Sequence, residues 1–291
     1  MKRLIIRPGA IGDFLLCLPA MEQLRAGYTE VWAASQNLPL ARFADRARAI
    51  ASTGLDLAGL PEVEPPERLL EALRGFDSIV SWYGTNRPDF RKALAGLPVR
   101  FLEAVPREGG GVHATDFYFQ QVGGCGAALP RLGCPAGDGG FVAIHPFSGS
   151  PRKNWPLERY KELSRRLPAR WILERGGPRV EGAEVEPPID DLYELACRLA
   201  QARLYIGNDS GITHLAAAAG APVLVLFGPT DPAVWAPRGP NVRVVSTPKP
   251  GEPMERIGLA EVLSAAQTAS GIAYTTAFGP DFISGGSDGC R

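Results

Sequence analysis

The sequence lacks several of the patterns that settle a protein's class early. Its five cysteines, Cys17, Cys125, Cys134, Cys197 and Cys290, are odd in number and scattered, with no CxxC pair and no histidines at zinc-ligand spacing. That leaves no disulfide framework and no zinc module, and the thiols read as reduced groups of a cytoplasmic protein. No apolar run approaches the roughly 20 residues needed to span a bilayer, so no transmembrane segment is expected. Met1-Lys2-Arg3 is followed by too short an apolar stretch before Pro8 to resemble a signal peptide. Charge of one sign is missing too: 31 basic residues balance 31 acidic ones. A net charge of zero gives no general attraction to nucleic acid or to an anionic membrane.

What is present is a large apolar fraction, 45% of 291 residues, enough for two domains of ordinary size. The most informative stretch is LYIGNDSGITHLAAAAGAPVLVLFGPTD, Leu204 to Asp231. A buried-type strand, Leu204 to Ile206, turns through Gly207 to Gly211 into a small-residue helix, Ile212 to Ala219. Gly220 and Pro222 stop that helix, and Val223 to Phe227 reads as a second buried strand. Two strands joined by a helix form a parallel crossover. The loop at 207–211 then lies at the carboxyl edge of a parallel sheet, where open α/β folds bind ligands. Free N–H groups from Ser210 to Thr213, together with the helix dipole, suit a phosphate there. Asp209, Ser210, Thr213 and His214 can all reach such a ligand. The alternative is that Asp209 or Ser210 only caps the helix and His214 is a hydrogen-bonded core residue.

The same unit recurs elsewhere. Leu4 to Ile6 is a first strand, followed by the loop RPGAIGD and a helix through Leu24, with Asp13 at the helix start as an N-cap or a functional carboxylate. Glu30 to Ser35 reads as a strand, Leu38 to Ile50 as a helix, and Asp77 to Trp82 as another strand. The loop after it leads to Arg87 and Arg91, either a solvated pair or a grip for a phosphorylated or carboxylated group. Arg100 to Val105 reads as a strand and His113 to Val122 as a helix. From Val122 to Gly140 glycine and proline dominate, marking a linker. Phe141 to His145 opens a second domain, and the loop before the helix start at Trp155-Pro156 carries Ser148, Ser150, Arg152 and Lys153, a phosphate site without a P-loop or GxGxxG pattern. Trp171 to Glu174 and Val242 to Ser246 read as strands, Asp190 to Gln201 as an amphipathic helix. A helix from Met254 to Ala269 is expected to cross back onto the first domain. Domains are expected at 1–137 and 138–270, with a loosely ordered, glycine-rich tail at 271–291.

Three of these stretches, RPGAIGDFLLCLPAMEQLR, HPFSGSPRKNWP and NDSGITHLAAAAGAPVLVLFGPTDP, resemble glycosyltransferase family 9, the ADP-heptose:lipopolysaccharide heptosyltransferases. The resemblance implies an α/β fold of GT-B type, two Rossmann-like doubly wound domains facing a central cleft. It implies an inverting transferase that moves a heptose from a nucleotide-sugar donor, ADP-heptose first, to a lipopolysaccharide inner-core or similar glycan at the inner membrane face. Asp13 is then the general base, a role that suits a carboxylate taking the acceptor hydroxyl proton. Ser148, Ser150, Lys153, Asp209, Ser210, Gly211, Thr213 and His214 fall to the donor, and Gly12, Arg87 and Arg91 to the acceptor. Thr230 and Asp231 lie near the cleft by the same likeness, or cap a turn. No Asp-x-Asp pair occurs, which points to neutralisation of the diphosphate by lysine and helix dipole, with no metal and no cofactor. One departure stands out: RVEGAEVEPPID after Gly177 is too short and proline-rich for the helix usual there. It leaves Glu174 and Glu181 as the candidates for nucleoside contact and keeps two alternatives open, a transferase or epimerase for another nucleotide sugar and a catalytically silent binding module.

Overall fold

The computed structural model describes residues 1–106, 111–137 and 139–270. Among the described residues, two five-stranded sheets, parallel throughout, carry the fold. The first contains β1 (Lys2–Arg7), β2 (Tyr28–Ala33), β3 (Arg46–Ala49), β4 (Ser78–Ser81) and β5 (Val99–Phe101) in the order β3-β2-β1-β4-β5. Its helices are α1 (Ile11–Gln23), α2 (Glu67–Arg74), α3 (Pro88–Ala93) and α4 (Ala114–Gln121). The second contains β6 (Val142–His145), β7 (Ala169–Trp171), β8 (Leu204–Asn208), β9 (Val223–Phe227) and β10 (Val242–Ser246) in the order β10-β9-β8-β6-β7. With it go α5 (Leu157–Ser164), α6 (Leu192–Leu199), α7 (Gly211–Ala218), α8 (Pro232–Trp235) and α9 (Leu259–Ser270). Strand order reverses between β1 and β4 in one sheet and between β6 and β8 in the other, and doubly wound sheets open their ligand crevice at such points.

Strand side chains alternate between two cores, as the period of two requires. Leu4 and Ile6 pack outward with Trp32, Leu69, Leu73 and Phe90. Ile5 faces inward with Phe14, Leu15 and Leu18 of α1. On the second sheet Val142, Ile144, Leu204 and Ile206 meet Tyr160, Leu163, Val262 and Ala266 on the outside, while Ala143, Tyr205 and Val225 join the inner cluster. That inner cluster is shared: α1 and α7 are buried nearly all round, as helices enclosed on every side are, and both belong to it. Between α4 and β6 the described chain forms no regular element.

Two expected elements are different in the structure. Leu38 to Ile50 is not a helix: a 3-10 turn over Ser35–Leu40 contains Pro39, and Arg46–Ala49 forms the edge strand β3 paired with Glu30–Ala33. The proline removes a helical N–H, and Asp45 accepts from the Thr29 N–H at 2.7 Å, which starts the pairing. The last helix does not cross back to the first domain. It packs on α5 and on strands β8, β9 and β10 of its own sheet through Val262 and Ala266, both fully buried. The stretch after Gly177 holds no helix before α6, only an isolated bridge between Trp171 and Val185. The tail expected at 271–291 lies outside the described residues.

Candidate active site

The site begins at the end of β8. Asp209 continues the strand with its N–H on Leu226 O, and Ser210 adopts the extended backbone of an N-cap, its Oγ accepting from Thr213 N at 3.3 Å. Thr213 is fully buried and turned back on the loop, donating to Asn208 O at 2.5 Å and lying 3.1 Å from the Tyr205 hydroxyl. Asn208 ties the loop to the neighbouring element: its amide donates to Pro146 O, and its Oδ1 accepts from Trp155 N and the Tyr160 hydroxyl. A buried polar group must find partners, and this set satisfies one another. The loop is therefore fixed before any ligand arrives.

Asp209 is 8% exposed. Its Oδ2 accepts from Lys153 Nζ at 2.6 Å and from Thr230 Oγ1 at 2.7 Å, while Oδ1 stands 3.9 Å from His214 Nε2. Burial pushes the His214 imidazole down to about 4, against the upward pull of Asp209, so it is neutral at neutral pH. A neutral ring can give one N–H to a ligand oxygen without adding charge.

From the other domain, Asp13 is the third residue of α1, and its Oδ2 accepts from the Ala10 N–H at 3.2 Å. It is thus not the N-cap itself; that position is Ala10, whose side chain offers no acceptor. Gly9, at a φ of 123°, lets the loop pass beside it, since a Cβ there would sit 3.2 Å from Asp13 Cβ. Behind Asp13 the buried Arg7 guanidinium donates to Asp13 O at 3.1 Å and stacks on Tyr118.

The N-termini of α1 and α7 meet directly. A Cβ on Gly211 would lie 2.8 Å from Ile11 Cβ, and one on Gly12 would lie 3.1 Å from His214 Cδ2. Two glycines thus allow two helix starts to touch, and each contributes partial positive charge to the space beside them. That space is a cavity of about 460 Å³. Gly12, Asp13, Ser150, Lys153, Asp209, Ser210, Gly211 and His214 line it, joined by Ala10, Leu16, Gly149, Thr230 and Trp235.

The remaining sequence candidates lie elsewhere. Ser148 does not line the cavity; its hydroxyl is engaged with Ser150 O and Asn154 Oδ1, so it shapes the loop that presents Ser150. Thr213 holds the neighbouring loop from within. Arg87 donates to the Tyr83 hydroxyl at 2.7 Å and Arg91 stacks over Phe101, both away from the cavity walls. Asp231 caps α8 through Ala233 N. Trp235 was not foreseen; the signal available was Pro232 opening a short helix behind a capping aspartate. A second, small cavity of about 30 Å³ beside the ends of β6 and β7 is lined by His145, Glu174, Glu186 and Arg198 among others. Glu181 is exposed and apart from both cavities. Among the described residues no three His, Cys, Asp or Glu side chains group as a metal site, and no helix is long and apolar enough to cross a membrane.

Residues 127–258 match the model of glycosyltransferase family 9 (heptosyltransferase). Lipopolysaccharide heptosyltransferase 1 of Pseudomonas aeruginosa is 38% identical over 94 residues, which are 28% of this chain and 26% of that protein. Lipopolysaccharide heptosyltransferase 1 of Escherichia coli K12 is 32% identical over 111 residues, 33% of this chain and 34% of that one. The chain therefore aligns with about a quarter to a third of the length of these curated relatives. In three dimensions the match is broader: the E. coli heptosyltransferase WaaC, solved with ADP, superposes with a TM-score of 0.70 at 20% identity, covering 92% of this chain and 100% of that one. The chain has the GT-B fold and is heptosyltransferase-like.

Proposed function

We propose that this heptosyltransferase-like chain is an inverting glycosyltransferase that takes a nucleotide-activated heptose, ADP-heptose first, and passes it to a lipopolysaccharide inner-core or similar glycan. One observation carries the reading. A carboxylate of the first domain, Asp13, and a lysine–aspartate–histidine group of the second, Lys153, Asp209 and His214, line the same cavity. The relatives' names supply the sugar and the acceptor, and the ADP bound to WaaC supplies the base.

In this reaction the acceptor hydroxyl oxygen attacks the anomeric carbon, its proton passes to the Asp13 carboxylate, and the bond from that carbon to the diphosphate oxygen breaks. The leaving diphosphate keeps the electron pair. Ser150, Lys153 and the N-terminus of α7 at Ser210 and Gly211 neutralise its charge, with no metal required. Asp209 Oδ1 holds sugar hydroxyls and His214 Nε2 adds a hydrogen bond. Ser148 and Thr213 serve the donor by fixing the two loops, Gly12 leaves room for the acceptor, and Arg87 and Arg91 meet its outlying groups. The domain boundary in this scheme falls at 137/138, and the protein works in the cytoplasm beside the inner membrane. With no helix between Gly177 and α6, the nucleoside is left to Glu174 and its neighbours.

Calorimetric titration with ADP, UDP, GDP and CDP, repeated on Lys153→Ala, tests this. Selective ADP binding that Lys153→Ala weakens is expected. Preference for another nucleotide changes the donor, and failure to bind any of the four overturns the reading.

A further inference from the structure

A segment of the second domain that contributes to the cavity wall is tied to the first domain. It starts at Thr230, whose hydroxyl donates to Asp209, passes through α8 with Trp235 on the cavity wall, and reaches Arg238. At that end three hydrogen bonds fasten it to α4 of the first domain and its cap. The Arg238 guanidinium forks onto both Asp116 oxygens at 2.5 Å, with both side chains about one-fifth exposed. His113 Nε2 meets Ala236 O at 2.8 Å, while its Nδ1 accepts from Thr115 N and caps α4. Since Nδ1 accepts, Nε2 carries the proton and donates. A bidentate, partly buried pair of this kind fixes geometry as well as adding energy.

We infer that Asp116, His113 and Arg238 are positioning residues that hold the 230–238 segment, and Trp235 with it, closed against the first domain. None of the three lines the cavity, and they act on it through Thr230 and Trp235. The consequence for the proposed reaction, on which this half of the inference rests, is water exclusion. With the segment released, water can replace the acceptor hydroxyl: its oxygen bonds the anomeric carbon, the bond to the diphosphate breaks, and the proton goes to Asp13. Transfer then leaks to hydrolysis.

The test uses the full chain carrying Asp116→Arg, Arg238→Asp or both, with Arg238→Met as a variant that adds no new charge. Hydrogen exchange at the amides of residues 233–236 and 238 is read first, since it needs no substrate. Exchange at least tenfold faster in each single variant, with recovery in the charge-swapped double, is expected. ADP-heptose consumed without acceptor is expected to rise about tenfold relative to transfer in the same singles and to recover in the double. Unchanged exchange in Arg238→Met, or a double variant that exchanges as fast as the singles, overturns the latch. Altered exchange with no donor turnover in any variant, the parent included, leaves the latch standing and sinks the glycosyltransferase reading.

Discussion

The β1–α1 and β8–α7 loops are two versions of one design, a parallel strand turning into a buried helix whose first turn faces the cavity. They differ in how their polar groups are spent. At β8–α7, Ser210 caps the helix, Thr213 closes on Asn208 O, and Asp209 is held by Lys153 and Thr230. At β1–α1 the cap position is an alanine, and the carboxylate of Asp13 has a backbone N–H as its partner. The β8–α7 loop is a preassembled grip, and the β1–α1 loop presents one carboxylate with capacity to spare. A donor needs a fixed cradle and a proton acceptor needs free lone pairs, so the asymmetry matches a division of labour between the domains.

The most severe way to break that division is Asp13→Asn. The amide keeps the size and can still accept from Ala10 N, but it cannot take a proton. Transfer is expected to fall by about 10²–10⁴-fold with nucleotide affinity within twofold, measured by product formation and calorimetry on one preparation. If affinity and melting temperature fall together with rate, Asp13 is a structural cap and the asymmetry is lost.

Acid should act on the other loop. His214 titrates at about 4 in the folded chain against an ordinary 6.5, chiefly because it is buried. The unfolded chain therefore takes up the proton first. This contribution to stability is full above about pH 6.5 and is lost as pH falls towards 4, by about 3 kcal/mol. His113 and His145 are lowered by burial in the same direction. Denaturant melts from pH 7.5 to 4.5 should show the decline, and His214→Gln should flatten part of it. A decline just as steep in His214→Gln assigns the acid sensitivity elsewhere.

Lys153→Ala removes the cation facing Asp209, which is nearly buried, while Lys153 is 28% exposed. With Thr230 still donating and solvent screening the lysine, a loss of about 2 kcal/mol in nucleotide affinity is expected, roughly 30-fold. Lys153→Arg should recover only part of it, because a planar fork does not replace a point charge in the same space.

How far this arrangement was legible in the sequence depended on whether a residue's role was set locally. Asp13, Lys153, Asp209 and His214 each lie in the loop or first helical turn that follows a buried strand, and parallel topology alone carries such positions to one edge. Gly220 as the stop of α7 was equally local, and it stands at a φ of 93°. Ser148 and Thr213 were not separable from Ser150 and Ser210, because a hydroxyl in a loop satisfies backbone or ligand with the same chemistry. β3 was hidden by its composition: RARA at a sheet edge offers only two alanines, Ala47 and Ala49, as its apolar face, while Leu40, Phe43, Ala47 and Ile50 in the same run stand at helical spacing. The destination of α9 was beyond reach, since an apolar face with Val262 and Ala266 four apart fits any complementary surface. The bonds from Asp116 and His113 to the segment ending at Arg238 join residues more than a hundred positions apart, and no local pattern announces them.

The mildest probe compares the two glycines where the helices touch. In Gly12→Ala the new methyl meets the edge of the His214 ring at 3.1 Å, and the ring must yield a few tenths of an ångström. Alanine gains about 0.5–1 kcal/mol over glycine inside α1, so the net change should lie within about 1 kcal/mol of zero. In Gly211→Ala the methyl meets Ile11 Cβ at 2.8 Å and Gly12 N at 3.3 Å, contacts set by backbone. There the first turns of α1 and α7 must separate, at a cost of about 1–3 kcal/mol. Urea melts of the two variants should therefore differ, with Gly211→Ala the less stable. Equal stability would mean that the domains part freely at this point, and the tight meeting of the two helix starts would then contribute nothing to holding the cavity together.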